Sequence, residues 1–215
     1  MRKWIYVLVV LSTLFSCKKD YSHLETKVLG HAGESIHNAR SEYPPNTLES
    51  VKHALVLGAD GVEIDVQLSI DGTLLAWHDP ELDANSTGSG CVNSTDWSNS
   101  PEILVYNSDL PLTPLSSIME YVLEYNKELM LDVKNYNSCN ESYIDYATFN
   151  NSLNNLLTAY SSDQKNLITI NSTSPGLLVE LTDVEIKKSL ESDVPEEALQ
   201  YAIGYNFDML TIKLD

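Results

Sequence analysis

Apolar residues recur along this chain with two periods that alternate. In Gly61 to Leu68, GVEIDVQL, every second position is apolar, so Val62, Ile64, Val66 and Leu68 share one face of a strand while Glu63, Asp65 and Gln67 share the other. The turn signal Asp71-Gly72 joins this strand to a second, Thr73 to His78. Upstream, a short strand at Lys27 to Gly30 precedes a helix with Leu48, Val51, Ala54 and Leu55 on one face, Asn46 as N-cap, Glu49 as its capping-box partner and Gly58 as its stop. A second helix opens at Thr113-Pro114, turns Leu115, Ile118, Met119, Val122 and Tyr125 inward, and feeds the strand Leu129 to Lys134. A third spans about Ile144 to Tyr160, with Phe149, Leu153, Leu156, Leu157 and Tyr160 inward, and leads to the strand Asn166 to Asn171. A weak strand near Glu185 to Leu190, a helix near Glu196 to Tyr205 and a strand from Phe207 to Ile212 complete the series. Residues from about 79 to 112 form a Ser/Asn/Gly-rich insert with no clear period, which is either functional or ordered by its surroundings.

Strands alternating with helices through short polar links make a parallel α/β sheet, open or closed into a TIM-type (β/α)₈ barrel. The barrel accounts for more, because it encloses the polar face of Glu63 and Asp65 at the rim where strand ends converge. Burying an isolated carboxylate costs on the order of 20 kcal/mol in the idealised Born limit, and still several after relaxation. Two on one strand call for a cation. The pattern repeats in LMLDVKN, where Asp132 and Lys134 face one way and Leu131 and Val133 the other. His31 follows the first strand and His78 ends another, so titratable groups gather at the ends of different strands, as a rim active site requires.

The amino terminus reads as an address. Arg2 and Lys3 precede the apolar run Trp4 to Leu11, which is too short for a mature membrane span, and then Leu14-Phe15-Ser16-Cys17. That ending resembles a bacterial lipoprotein box, which implies a signal peptide over residues 1–16, lipidation of Cys17, a polar spacer over residues 17–26 and a lipid-anchored place in the bacterial cell envelope. The other reading is a plain signal peptide with an incidental cysteine. Residues 27–215 then make one domain. Loss of Arg2 and Lys3 from the 13 Lys and Arg, against 31 Asp and Glu, takes the net charge from −18 to about −20. Such a surface repels nucleic acid and offers no basic patch to anionic lipid, but suits divalent cations. Cys91 and Cys139 remain in an oxidising compartment, and sequence leaves open whether they approach closely enough to pair. Asn-x-Ser/Thr sites at Asn85, Asn93, Asn140, Asn150 and Asn171 read as polar loop residues.

In order along the chain, His31-Ala32-Gly33, Pro44-Pro45-Asn46-Thr47, Gly58 to Val66, His78-Asp79 and Asp132-Val133-Lys134 resemble the glycerophosphodiester phosphodiesterase family. The resemblance implies a barrel enzyme that hydrolyses a glycerophosphodiester to an alcohol and glycerol 3-phosphate. It implies that Glu63, Asp65 and Asp132 bind Ca²⁺ or Mg²⁺, that His31 and His78 are the base and the acid, and that Lys134 holds a phosphate oxygen. For Lys134 the alternative is a simple ion pair with Asp132, and His23, His37 and His53 read as structural or surface residues. Ala32 stands where the family has arginine, Pro45 where it has glutamate, and Asp132 where it commonly has glutamate. Arg40 is the candidate to restore the lost positive charge toward phosphate. The family's closing strand with its tryptophan is absent after Asp215, so a truncated chain or an unusual closure is expected. Two other readings keep the barrel: an inactive, lipid-anchored binding module, and a phospholipase D-like enzyme acting on intact phospholipid.

Overall fold

The computed structural model describes residues 26–34, 42–100, 102–182 and 184–212. The signal peptide, Cys17, Arg40, His23 and His37 lie outside the described residues. The elements are β1 (Leu29–His31), α1 (Leu48–Val56), β2 (Gly61–Leu68), β3 (Leu74–Ala76), β4 (Thr113–Pro114), α2 (Leu115–Glu124), β5 (Glu128–Val133), β6 (Tyr136–Asn137), β7 (Ser142–Tyr143), α3 (Tyr146–Leu157), α4 (Ser162–Lys165), β8 (Ile168–Ser172), α5 (Pro175–Glu180), β9 (Lys187–Ser192), α6 (Pro195–Tyr205) and β10 (Met209–Ile212). Among the described residues no helix is long and apolar enough to cross a membrane.

Strands β1, β2, β5, β8, β9 and β10 lie side by side and parallel, each joined to the next in space by βα connections. This is the strand order of a TIM-type (β/α)₈ barrel. Among the described residues β1 and β10 are the outer strands of this parallel set and do not pair with each other. Alternation fixes the two faces. Val62, Ile64 and Val66 of β2, Leu129, Leu131 and Val133 of β5, and Ile168 and Ile170 of β8 are buried in one apolar cluster with Leu115, Ile118, Met119 and Val122 of α2 and Phe149, Leu153 and Leu157 of α3. The intervening positions therefore face the lumen, where register sets Asp65 beside Asp132 and Asp132 beside Asn171.

The second strand of the opening motif departs from the parallel order. β3 pairs antiparallel with the end of β2, Val66 opposite Ala76, because the tight Asp71-Gly72 turn, with Gly72 at φ 83°, can only return the chain alongside itself. This return brings residue 77 back to the level of Asp65, whose carbonyl accepts the Trp77 N–H at 3.0 Å. The insert beyond is ordered by an apolar cluster of its own, Leu75, Trp77, Leu82, Val92, Ile103, Val105, Tyr106 and Leu112. The Cys91–Cys139 disulfide, with Cα atoms 5.7 Å apart across 48 residues of sequence, ties that insert to the β6–β7 hairpin.

Several local expectations are corrected. Thr47, not Asn46, caps α1, its hydroxyl accepting the Ser50 N–H at 3.2 Å, while Glu49 pairs with Lys52 instead of closing a capping box. Asn46 is held at φ 60° with its amide committed elsewhere. Tyr125 is 58% exposed at the end of α2 instead of turning inward, its ring tilted at 48° against that of Tyr121. Helices α4 and α5 were not anticipated, although Ser161 with Gln164 forms a capping box and Ser174-Pro175 is a helix start. The strand pair β6–β7 is too short to show a period. Asn171, expected both at the end of a strand and as a polar loop residue, is in β8 and only 2% exposed.

Candidate active site

The lumen face of β2 and β5 brings together the three acids that the sequence singled out. Ligand-competent oxygens of Glu63, Asp65 and Asp132 all lie within 4.8 Å of one another. Each has a distinct environment. Glu63 accepts the Ala32 N–H at 2.9 Å and lies 3.6 Å from His31 Nε2. Asp65, 1% exposed, accepts the Asn46 side-chain amide on Oδ2 at 2.7 Å, while its own N–H donates to Asn46 Oδ1 at 3.0 Å. Asp132 accepts the Asn171 amide on Oδ1 at 3.1 Å. Lys134 Nζ sits between the strands, 2.8 Å from Asp65 Oδ1 and 2.6 Å from Asp132 Oδ2.

Among the described residues, the one ammonium of Lys134 against the three clustered carboxylates leaves the cluster short of positive charge. Burial, and then the neighbouring Asp65 charge, push the Glu63 carboxyl up to about 8. Burial opposes the charge of Lys134, but the attraction of Asp65 and Asp132 outweighs it and raises the ammonium above its ordinary value. Asp65 Oδ1 is buried and has no hydrogen bond, with the Lys134 ammonium 2.8 Å away as its ion-pair partner. An oxygen-only donor set, an acid whose ionisation is opposed by its neighbours and a buried carboxylate oxygen without a hydrogen bond together fit a hard divalent cation.

The flanking histidines are delivered by different devices. His31 ends β1 in the turn His31-Ala32-Gly33, which packs on α1 so closely that a Cβ on Gly33 would meet the Ser50 hydroxyl at 2.5 Å. The Ala32 carbonyl accepts the Asn46 N–H at 2.9 Å, so the two loops that depart from the family pattern, at Ala32 and Pro45, lie against each other. His78 Nδ1 faces Asp79 Oδ1 at 3.0 Å, which leaves Nε2 as its outward nitrogen. Asp79 in turn accepts from Asn85 at 2.7 Å. The buried Gln67 amide donates to the carbonyls of Trp77 and Asp79, clasping the segment that carries His78. Both histidines keep solvent access, with side chains 61% and 44% exposed. His53 is structural, as expected: it stacks on Tyr43 at 4.1 Å and faces Glu34.

Sequence reasoning missed part of this constellation. Gln67 carried a readable signal, since it shares the face of Glu63 and Asp65. Asn46 was read as a helix cap, a role its residue type favours equally. Asn171 and Glu191, bonded to each other at 2.8 Å, gave no local signal at all.

The profile of the Glycerophosphoryl diester phosphodiesterase family matches residues 37–188. The chain belongs to this family. A glycerophosphodiester phosphodiesterase of Caldanaerobacter subterraneus is 42% identical over 69 residues, 32% of this chain and 26% of that protein. This chain thus aligns with about a quarter of that relative's length. An uncharacterised Bacillus subtilis protein, YqiK, is 26% identical over 196 residues, 84% of this chain and 75% of its own. Among solved structures, an Oleispira antarctica phosphodiesterase in complex with the product sn-glycerol-3-phosphate shares the fold with a TM-score of 0.70 and 20% identity, over 87% of this chain and 74% of the other. The family fold is the TIM-type α/β arrangement expected from the alternation of strands and helices.

Proposed function

We propose that this chain hydrolyses glycerophosphodiesters to an alcohol and glycerol 3-phosphate, with His31 and His78 moving protons on either side of an acid cluster that holds a divalent cation. The observation that carries the reading is the convergence of Glu63, Asp65 and Asp132 around Lys134 in a member of this family. The product found in the Oleispira antarctica neighbour agrees with the substrate class. Ca²⁺ or Mg²⁺ held by Glu63, Asp65 and Asp132 supplies charge neutralisation for the phosphodiester oxygens when bound.

The chain's own groups then divide the remaining work. His78 is the proposed proton donor: Asp79 Oδ1, 3.0 Å from its Nδ1, orients the ring so that Nε2 points outward. His78 gives its proton to the leaving alcohol oxygen. His31 takes the proton of the attacking hydroxyl or water. Such transfers typically contribute about 10²- to 10⁴-fold each. Lys134 has three donors, enough to hold a phosphate oxygen beyond its two carboxylates. Arg40 belongs to the same proposal as a further phosphate contact, to be withdrawn if Arg40→Ala leaves phosphodiester affinity unchanged. Lipidation of Cys17 and an envelope location are proposed with it, supported by the Cys91–Cys139 pair, since disulfides persist in oxidising compartments.

The test is release of glycerol 3-phosphate from glycerophosphocholine and glycerophosphoethanolamine with Ca²⁺, with Mg²⁺ and with chelator, beside His78→Ala. Metal-dependent turnover that drops about 10²- to 10⁴-fold in the variant is expected. A folded, metal-loaded protein with no turnover would sink the proposal and favour a binding module. Turnover restricted to intact phospholipid would reassign the substrate.

A further inference from the structure

The insert holds one more polar group beside His78, and the reaction above leaves it without a task. Val105, Tyr106, Asn107 and Ser108 make a tight turn, closed by the Ser108 N–H on the Val105 carbonyl at 3.0 Å. Tyr106 at φ 53° and Asn107 at φ 54° both take the left-handed conformation. Asparagine and glycine adopt it readily, whereas a tyrosine there is held against its own preference. Packing on the segment that carries His78 is what holds it. The Tyr106 ring lies 5.2 Å from that of Trp77, tilted at 36°, and its N–H donates to the Asn85 carbonyl at 2.6 Å. Trp77 immediately precedes His78 and donates its own N–H to the Asp65 carbonyl at 3.0 Å. The Asn85 side chain bonds Asp79, which faces His78.

The hydroxyl is the part of Tyr106 that packing does not explain. It makes no hydrogen bond among the described residues, and the buried side-chain atoms in that condition there are confined to Glu34, His53, Asp65 and Asn171. The residue as a whole is 8% exposed, so its ring is enclosed while its hydroxyl is within reach of solvent. Burial, and then the charges of Asp79 and Asp65, hold the phenol proton on well above its ordinary range. The hydroxyl thus stands in the field of the carboxylate that orients His78 and of the one buried in the acid cluster, bonded to neither. Phenylalanine would pack on Trp77 equally well. A donor fixed beside that packing without a partner calls for an acceptor that arrives from outside.

We infer that Tyr106 is a substrate-contacting residue, its hydroxyl donating a hydrogen bond to a phosphoryl oxygen of the bound diester on the side of His78. The inference rests on the phosphodiesterase reading and adds a residue to it. Charge selects the acceptor. Asp65 and Asp132 already share the Lys134 ammonium, so an anionic oxygen that enters beside them needs further donors. The His31 turn adds no side-chain donor, because Ala32 stands there, and the insert offers one in Tyr106. A neutral hydroxyl whose ring is fixed on Trp77 needs no reorganisation when the phosphoryl group arrives, and its bond strengthens as charge develops on that oxygen.

The experiment compares wild type with Tyr106→Phe, which removes the hydroxyl and keeps the ring, in the full chain with Ca²⁺ present. Three quantities are read: the melting temperature, kcat/KM for glycerophosphoethanolamine, and calorimetric affinity for glycerol 3-phosphate. The variant is expected to melt within a few degrees of wild type while kcat/KM falls about 10-fold or more and the affinity falls with it. A fall in kcat with affinity intact retains the contact and confines it to the transition state. Unchanged kcat/KM together with unchanged affinity overturns the inference and leaves Tyr106 as packing for Trp77. A melting temperature many degrees lower would mean that the hydroxyl is bonded within the fold, and the contact would be rejected on that ground. Calorimetry separates this inference from the reading beneath it. Wild type that hydrolyses nothing, yet binds glycerol 3-phosphate about 10-fold more tightly than Tyr106→Phe, keeps the phosphate contact and removes the phosphodiesterase reading. Wild type that neither hydrolyses the diester nor binds glycerol 3-phosphate removes both.

Discussion

Glu63 illustrates how a single residue can report on the occupant of its site. In the folded, metal-free protein burial and the Asp65 charge raise its carboxyl to about 8, against an ordinary value of 4.5. The folded state therefore keeps a proton that the unfolded chain releases. Its contribution to stability is present below about pH 4.5 and is lost as pH rises toward 8. With chelator the melting temperature should fall across that interval, and added Ca²⁺ should offset the fall, because the cation replaces the proton. A melting temperature that is flat or rising with pH in chelator would mean that Glu63 is already compensated. Asp65→Asn tests the same cluster from the other side. The asparagine can still accept the Asn46 amide, and removing one charge relieves Glu63, so the metal-free protein should melt within a few degrees of wild type. Metal affinity should fall at least about 10-fold, since a ligand charge is lost. Calorimetry with unchanged affinity would remove Asp65 from the metal site.

Between elements, the decisive contacts are the ones that span loops. Asn46 ties the start of α1 to the middle of β2 through Asp65, and Asn137 of β6 donates to the Pro80 carbonyl at 2.9 Å, two residues beyond His78. The disulfide reinforces this second tie, with Asn140 reaching Asn93 and Ser94 beside it. A cross-link across 48 residues restricts the unfolded chain by an amount worth about 4 kcal/mol in the chain-entropy picture. The Cys91→Ala/Cys139→Ala double variant should therefore lose roughly 2–4 kcal/mol in a denaturant titration. It should also turn over more slowly than wild type under native conditions, because the insert that directly follows His78 loses its tether to the hairpin after β5. Full activity with full stability would show that the insert's own apolar cluster suffices to hold it. This tie was not legible beforehand: the two cysteines were visible, but the short hairpin that brings Cys139 to the insert was not.

At the scale of the whole molecule, charge and site oppose each other. A net charge of −18 surrounds a site that, in the proposed reaction, receives a phosphodiester anion. Long-range repulsion slows that encounter, and salt screens it beyond roughly 10 Å at 0.1 M. At fixed free Ca²⁺, kcat/KM should rise as ionic strength goes from about 10 to 150 mM, with kcat little changed. A fall over that range would mean that the positive field of Lys134 and the bound cation dominates the approach. The parallel order of β1, β2, β5, β8, β9 and β10 was legible from the alternation of periods, because a helix between two strands leaves room for a parallel return. The antiparallel β3 breaks that order, and its cause, the Asp71-Gly72 turn, is itself readable in the sequence.

What the sequence determined by itself is which residues share a face. A period of two assigns Glu63, Asp65 and Gln67 to one side of β2, and Asp132 and Lys134 to one side of β5, whatever the strands then pack against. It also supplied the motif order that carries the family. What only the tertiary structure decided is register and reach. Hydrophobic alternation says which way a side chain points but not which residue on the next strand it meets, so Asp65 beside Asp132 beside Asn171 emerges only when the sheet is assembled. The same holds for Asn46 on Asp65 and Asn171 on Glu191, bonds between residues 19 and 20 positions apart that no local propensity encodes. The histidines and acids could be named from the chain. The amides that orient them were chosen by the packing of one strand end against another.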